Sequence, residues 1–221
     1  MDNAPRQLGA LLYPGFEMLD YFGPLEMFSV VGSAIVQIHT VAEGPEPVAA
    51  AIGAEGAIGP RVVPDHTFAG APHFDILLVP GGMGTLEALE NENLLAFLRE
   101  RTAAADIVAS VCTGSALLAR AGLLDGHRAT SNKQFFALAS TQSDRVRWIE
   151  AARWVEDGKF FTSSGVSAGM DMALAIIKKL WGEDTAETTA SYAEYTWQRD
   201  PDHDPFVSEL NRHAGDPGPG G

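Results

Sequence analysis

The sequence predicts an α/β fold: an open, mostly parallel sheet covered by helices on both faces. Three observations carry this. The unbroken apolar run Ile76-Leu77-Leu78-Val79 reads as a strand buried on both faces, as parallel strands are, and Asp106 to Val111 reads as another buried strand. Such strands alternate along the chain with segments of helical apolar spacing, the pattern of crossover connections. Glycine-containing turns follow two strands directly, Pro80-Gly81-Gly82-Met83-Gly84 after Val79 and Cys112-Thr113-Gly114 after Val111. In open sheets of this class, ligands sit at the carboxyl ends of the strands.

Taken in order, Leu8 to Tyr13 is a short buried strand stopped by Pro14-Gly15. From Glu17 to Val31, the residues Met18, Leu19, Phe22, Leu25 and Phe28 keep a helical period, which Gly23-Pro24 interrupts. Ile35 to Val41 is a second strand. Glu43 to Pro72, rich in Gly, Pro and Ala, reads as a hairpin or loose strands outside the main sheet. Glu87 to Ala103 is helical, and Ser115 to Ala121 is the helix that follows the cysteine turn. Trp154 to Glu156, the turn Asp157-Gly158 and Lys159 to Ser163 form a hairpin. Ala168 to Trp181 is a strongly apolar helix, and Asp184 to Gln198 is the last one. A single domain over residues 1–210 is expected, with 211–221 as a mobile Gly/Pro-rich tail.

Composition narrows the function classes. A chain of 221 residues can bury a full core without disulfides or a structural metal. With 46% apolar and 20% charged residues it is neither disordered, collagen-like nor coiled-coil. A net charge of −14, with no cluster of Lys or Arg against it, sets aside nucleic acid and membrane surfaces as partners. Cys112 is the sole cysteine, so the chain makes no internal disulfide and no thiolate zinc site. Residues 1–7 lack a basic segment leading into an apolar one, and no apolar run reaches about 20 residues. A cytoplasmic setting is expected.

Chemistry concentrates at a few positions. Cys112 sits at a strand-to-helix junction, where free helix N–H groups and the helix dipole favour an anion. A lowered thiol pKa and a nucleophilic role are expected, against the plainer alternative of a buried apolar cysteine. Asp20 lies between Leu19 and Tyr21-Phe22, so it is either a desolvated acid able to hold a proton near neutrality or an N-cap. Gly81-Gly82-Met83-Gly84 can aim backbone N–H groups at a negative atom, or simply turn the chain; it fits neither a dinucleotide fingerprint nor a Walker loop. Gly165-Val166-Ser167-Ala168-Gly169 matches the serine-hydrolase elbow, with Asp171 or Asp184 and His203 or His213 as formal partners. The short remaining chain favours a packing role for these small residues. None of His39, His66, His73, His127, His203 and His213 lies in a metal-binding spacing, and Asp202-His203-Asp204 reads as a solvated segment.

Several stretches together resemble the ThiJ/PfpI superfamily, and within it the isocyanide (isonitrile) hydratase-like branch. They are Leu19-Asp20-Tyr21-Phe22-Gly23-Pro24, Val79-Pro80-Gly81-Gly82, Val111-Cys112-Thr113-Gly114-Ser115, Ala121 to Gly126, Arg128-Ala129-Thr130 and Thr162 to Gly169. The resemblance implies a flavodoxin-like three-layer sandwich of the class I glutamine amidotransferase kind, usually homodimeric and needing no cofactor. It implies Cys112 as nucleophile, Asp20 as the acid beside its sulfur, and Thr113 as the third catalytic position. The N–H groups of Gly82 and Thr113 would cradle negative charge. Gly81, Met83, Asn132, Val166 and Tyr21, with Phe22, would line the substrate site. The implied reaction is hydration of a small electrophilic substrate, an isocyanide, to an N-substituted formamide. Two departures stand out. Thr113 replaces the histidine that follows the cysteine in peptidase-like members, which argues against protease chemistry. Asn132 stands where hydratase-like members commonly carry histidine. Rival expectations are a glyoxalase-like activity on 2-oxoaldehydes, a cysteine redox sensor and a ligand-binding module.

Overall fold

The computed structural model describes residues 4–53 and 56–212. The elements in chain order are β1 (Arg6–Leu11), α1 (Met18–Val31), β2 (Val36–Ala42), β3 (Val48–Ile52), β4 (Ala57–Val62), β5 (His66–Thr67) and β6 (Ile76–Val79). They continue with α2 (Thr85–Ala88), α3 (Glu92–Ala104), β7 (Ile107–Ser110), α4 (Gly114–Arg120), β8 (Arg128–Ala129), α5 (Phe136–Ser140) and β9 (Arg147–Trp148). The last are β10 (Trp154–Asp157), β11 (Phe160–Ser163), α6 (Ala168–Trp181) and α7 (Glu183–Tyr192).

Seven strands form the central sheet in the order β10-β11-β7-β6-β1-β2-β5. All pairs are parallel except the hairpin β10–β11. Every residue of β6 and β7 is buried, which is why β6 reads as an unbroken apolar run in the sequence and β7 departs from one only at Ser110. One group of helices, α1, α6 and α7, packs together, and a second group forms around α4 with α2, α3 and α5. The result is the flavodoxin-like three-layer sandwich. Among the described residues, no helix is long and apolar enough to cross a membrane.

Some expectations need correction. The helix expected over 87–103 is two helices, because Asn91 starts a new one: its side chain accepts the N–H groups of Asn93 and Leu94 at 3.0 and 3.1 Å. The hairpin β3–β4 stands apart from the main sheet as expected, but β5, from the same segment, joins the sheet edge beside β2. The last helix ends at Tyr192 rather than Gln198. Beyond it the chain turns back onto Asp171, which is fully buried and takes hydrogen bonds from the Tyr195 hydroxyl (3.0 Å) and the Gln198 N–H (2.9 Å). Asn211, at the start of the expected tail, donates its N–H to the Lys133 carbonyl at 2.8 Å. Residues 213–221 lie outside the described residues, as does His213. Asp202 and His203 are exposed as expected, but Asp204 is buried at 1% exposure.

The small residues around 165–169 serve packing, as the sequence suggested. A Cβ on Gly169 would lie 2.8 Å from Val111 Cγ1 and 3.2 Å from Pro24 Cγ, so α6 meets α1 and the end of β7 only because no side chain intervenes. Alanine is the better helix former, yet Gly169→Ala is expected to lower stability by about 1–3 kcal/mol through overpacking. A urea midpoint reduced at unchanged slope would show it; an unchanged or raised midpoint would refute it.

Candidate active site

The strand-to-helix turn after β7 places Cys112 in the left-handed region, at φ +56°. For a residue with a Cβ this conformation costs on the order of 1–3 kcal/mol and persists only where neighbours fix it. They do so from both sides. The Cys112 N–H donates to the Ser164 carbonyl at 3.1 Å. Its carbonyl accepts from the hydroxyls of Ser131 (3.1 Å) and Ser115 (3.2 Å).

The Cys112 sulfur is nearly enclosed, with the residue 6% exposed. Asn132 Nδ2 donates to Sγ at 3.1 Å. The backbone N–H groups of Thr113 and Val166 also act on the sulfur and favour its anion. Val166 reaches it from the turn after β11 by adopting φ +46°, an outlier for a β-branched residue. Two left-handed residues on neighbouring turns therefore face one sulfur.

Asp20 is buried with no exposed surface, in the first turn of α1. The N-cap alternative fails: Glu17 holds that position, and no side chain caps the helix. Asp20 Oδ2 accepts the Gly81 N–H at 2.9 Å, while Oδ1 has no hydrogen-bond partner among the described residues. Burial, with a smaller push from Glu17, raises the carboxyl to about 8; the Gly81 N–H and Cys112 pull the other way.

The expected lowering of the Cys112 thiol is not what the structure gives. Burial pushes it well above its ordinary value, and the nearby Asp20 adds to the push. The donors from Thr113, Asn132 and Val166 oppose this without reversing it. A helix as short as α4, seven residues, contributes too little at its N-terminus to outweigh desolvation. Burial thus pushes both members of the pair toward their neutral forms.

Gly81 and Gly82 bring this turn against the cysteine elbow. A Cβ on Gly81 would sit 2.6 Å from both N and Oγ1 of Thr113 and 2.9 Å from Asp20 Oδ2. Gly82, at φ +139°, donates its N–H to Thr113 Oγ1 at 3.1 Å, so that N–H is engaged rather than open to the sulfur. Met83 is half-buried. Tyr21 is fully buried between Phe16 and Phe22, its hydroxyl 3.5 Å from the Ala10 carbonyl, and offers a substrate no surface. Phe22 is 47% exposed.

Ser167 is no hydrolase nucleophile. Its hydroxyl accepts from Arg153 Nη2 at 3.2 Å, and His203 is exposed. Asp171 instead holds Arg153, with 2.8 Å to Nε and 2.7 Å to Nη2. Lys133, next to Asn132, is buried, and its ammonium donates to Ala152 O (2.7 Å) and Thr130 Oγ1 (2.9 Å), with Asp204 at 3.9 Å. Burial lowers this lysine to about 8. These charges, together with Ser131 and Ser164, were not singled out as site supports from sequence. One signal did exist, an acid between Met170 and Met172 in a strongly apolar helix.

The fold agrees with the comparisons. A family profile described as the DJ-1/PfpI family matches residues 9–179. An isonitrile hydratase of Pseudomonas putida is 37% identical over 194 residues, 86% of this chain and 78% of that protein. The HTH-type transcriptional regulator GbdR of Pseudomonas aeruginosa is 30% identical over 184 residues, 81% of this chain but 48% of that protein. A crystal structure of a ThiJ/PfpI family protein from Pseudomonas syringae superposes with a TM-score of 0.75 at 31% identity, covering 96% of this chain and 91% of that one. A profile match over most of the chain, a relative similar along most of its length and a shared fold lead to one assignment: the chain belongs to the DJ-1/PfpI family.

Proposed function

We propose that the protein is a cofactor-free hydratase, a lyase of the water-adding kind, that converts isocyanides to N-substituted formamides, with Cys112 as nucleophile and Asp20 as proton carrier. The carrying observation is the enclosed Cys112 sulfur, which faces N–H donors from Thr113, Asn132 and Val166 and lies beside a buried carboxyl that keeps its proton at neutral pH. The isonitrile hydratase likeness supports the same reaction class.

Because Oδ2 accepts the Gly81 N–H, Oδ1 is the oxygen that carries the Asp20 proton. Sulfur attacks the terminal carbon of R–NC, and that carbon takes the Asp20 proton. Asp20 recovers a proton from the thiol, leaving the thioimidate R–N=CH–S–Cys112. Water then adds across C=N, with Asp20 accepting a proton from water and returning one to nitrogen. Collapse of R–NH–CH(OH)–S–Cys112 passes the hydroxyl proton to sulfur, breaks the C–S bond and releases R–NH–CHO. The donors around Sγ stabilise charge on sulfur as it attacks and leaves. An acid with a pKa near the working pH suits this bifunctional role.

The substrate is small because the sulfur is nearly closed off. A cytoplasmic homodimer without nucleic-acid or membrane partners completes the reading. The raised thiol weighs against a redox sensor, which needs an accessible thiolate. The test is incubation of the purified protein with an aromatic isocyanide, following formamide by absorbance and mass. Formamide at catalytic yield supports the proposal. No formamide, with lactate formed from methylglyoxal instead, overturns it in favour of 2-oxoaldehyde chemistry.

A further inference from the structure

Three buried hydroxyls link the ends of three neighbouring strands beside the site. Tyr13 lies just past β1, Thr85 opens α2 beyond β6, and Thr113 follows Cys112 past β7; none is more than 5% exposed. The contacts run Gly82 N to Thr113 Oγ1 (3.1 Å), Thr113 Oγ1 to Thr85 Oγ1 (2.8 Å), Thr85 Oγ1 to Tyr13 Oη (3.0 Å) and Tyr13 Oη to the Pro80 carbonyl (2.9 Å).

Each hydroxyl has one proton, and the two ends are fixed by the backbone. An N–H can only donate and a carbonyl can only accept. The Tyr13 proton must therefore lie toward Pro80, so Thr85 donates to Tyr13, and Thr113 donates to Thr85. Thr113 Oγ1 is then left with lone pairs for the Gly82 N–H. The chain has a single direction, and all four contacts are satisfied only in that direction.

We propose that Tyr13 and Thr85 are positioning residues for the Cys112–Asp20 pair: they orient the Thr113 hydroxyl, which holds the Gly81–Gly82 turn, whose Gly81 N–H in turn holds Asp20 Oδ2. The Thr113 hydroxyl proton faces away from the substrate, so Thr113 serves the sulfur through its backbone N–H. Burial keeps the Tyr13 phenol protonated and so fit to donate. Removing the Tyr13 hydroxyl leaves the Pro80 carbonyl without its donor and Thr85 without its acceptor, and the direction of the chain is lost. The groups acting on Asp20 are then Glu17 and Cys112, with a weakened Gly81 N–H.

The role of these residues in turnover rests on the proposed hydratase reading, but the primary readout does not. The pH midpoint for alkylation of Cys112 by iodoacetamide is compared in wild type, Tyr13→Phe, Thr85→Val and Thr85→Ser. Tyr13→Phe and Thr85→Val are expected to lower the midpoint by about one pH unit, because a weakened Gly81 N–H leaves Asp20 neutral to higher pH and so withdraws part of the negative charge that pushes the Cys112 thiol up. Thr85→Ser, which keeps the hydroxyl, restores it. Where the wild type turns over isocyanide, kcat falls about tenfold at unchanged KM in the first two variants. If Tyr13→Phe does not fold, the Thr85 pair decides alone. Wild-type alkylation midpoints in folded Tyr13→Phe and Thr85→Val, or equal midpoints in Thr85→Val and Thr85→Ser, overturn the proposal. An inactive wild type with these midpoint shifts would refute the hydratase reading and leave this one standing.

Discussion

Cys112→Ala is expected to abolish formamide production, by about 10⁴-fold or more, while leaving a folded protein. In the proposed reaction the substrate carbon gains only the bond to sulfur and one proton before water arrives, so sulfur is the sole nucleophile in that half of the reaction. Ser131 and Ser115 are committed to the Cys112 carbonyl. Removing one member of a catalytic unit commonly costs as much as removing all of it. The Asn132 amide loses its acceptor, so some stability is lost too, but β7 and α4 keep their backbone pairing. Turnover of purified variant and wild type, at matched folded fraction, reads the effect. Full activity in the variant would remove sulfur from the mechanism altogether.

Asp20→Asn is expected to reduce turnover by about 10²–10⁴-fold, the usual range for a positioned acid–base group. The amide can still accept the Gly81 N–H, so the loss falls on proton transfer rather than on the turn. The same substitution has a stability signature of known sign. Asp20 is raised in the folded state from 3.8 to about 8. Between those values the folded state holds a proton that the unfolded chain has given up. Stability from this group is thus complete below pH 3.8 and is lost as pH rises through about 8, by up to about 1.4 kcal/mol per pH unit. Asp20→Asn does not titrate, so its urea midpoint should fall less than that of wild type between pH 5 and pH 8. Parallel slopes would return Asp20 to an ordinary carboxylate. Wild-type turnover should decline above about pH 8, as the acid form disappears.

Much of the architecture was legible because strand burial leaves a one-dimensional trace. Ile76–Val79 and Ala168–Trp181 have the bounds that their apolar patterns suggest. The site was legible where chemistry interrupts pattern, as with an acid inside an apolar helix or a cysteine on a strand-to-helix turn. What escaped depends on distance through space. Thiol desolvation is set by how Val166 and Asn132 close over Cys112, and no local spacing records that. The partners of Asp171 come from Arg153 and from residues 195–198, so both the end of α7 and the path beyond it followed from contacts remote in sequence. Asn91 is the opposite case: its capping role was available in the sequence, yet the apolar period ran through it and hid the break.

The left-handed backbone at position 112 also bears on how such a protein could lose its chemistry over generations. Glycine suits those dihedrals, whereas alanine keeps the strain. Cys112→Gly is therefore expected to unfold at the same temperature as Cys112→Ala or a higher one, against the usual ranking of the two residues, and paired thermal melts would show it. A single nucleotide change turns a cysteine codon into a glycine codon. In a gene copy released from selection on turnover, folding would offer little resistance to that change, so a silent, well-folded descendant lies one mutational step away.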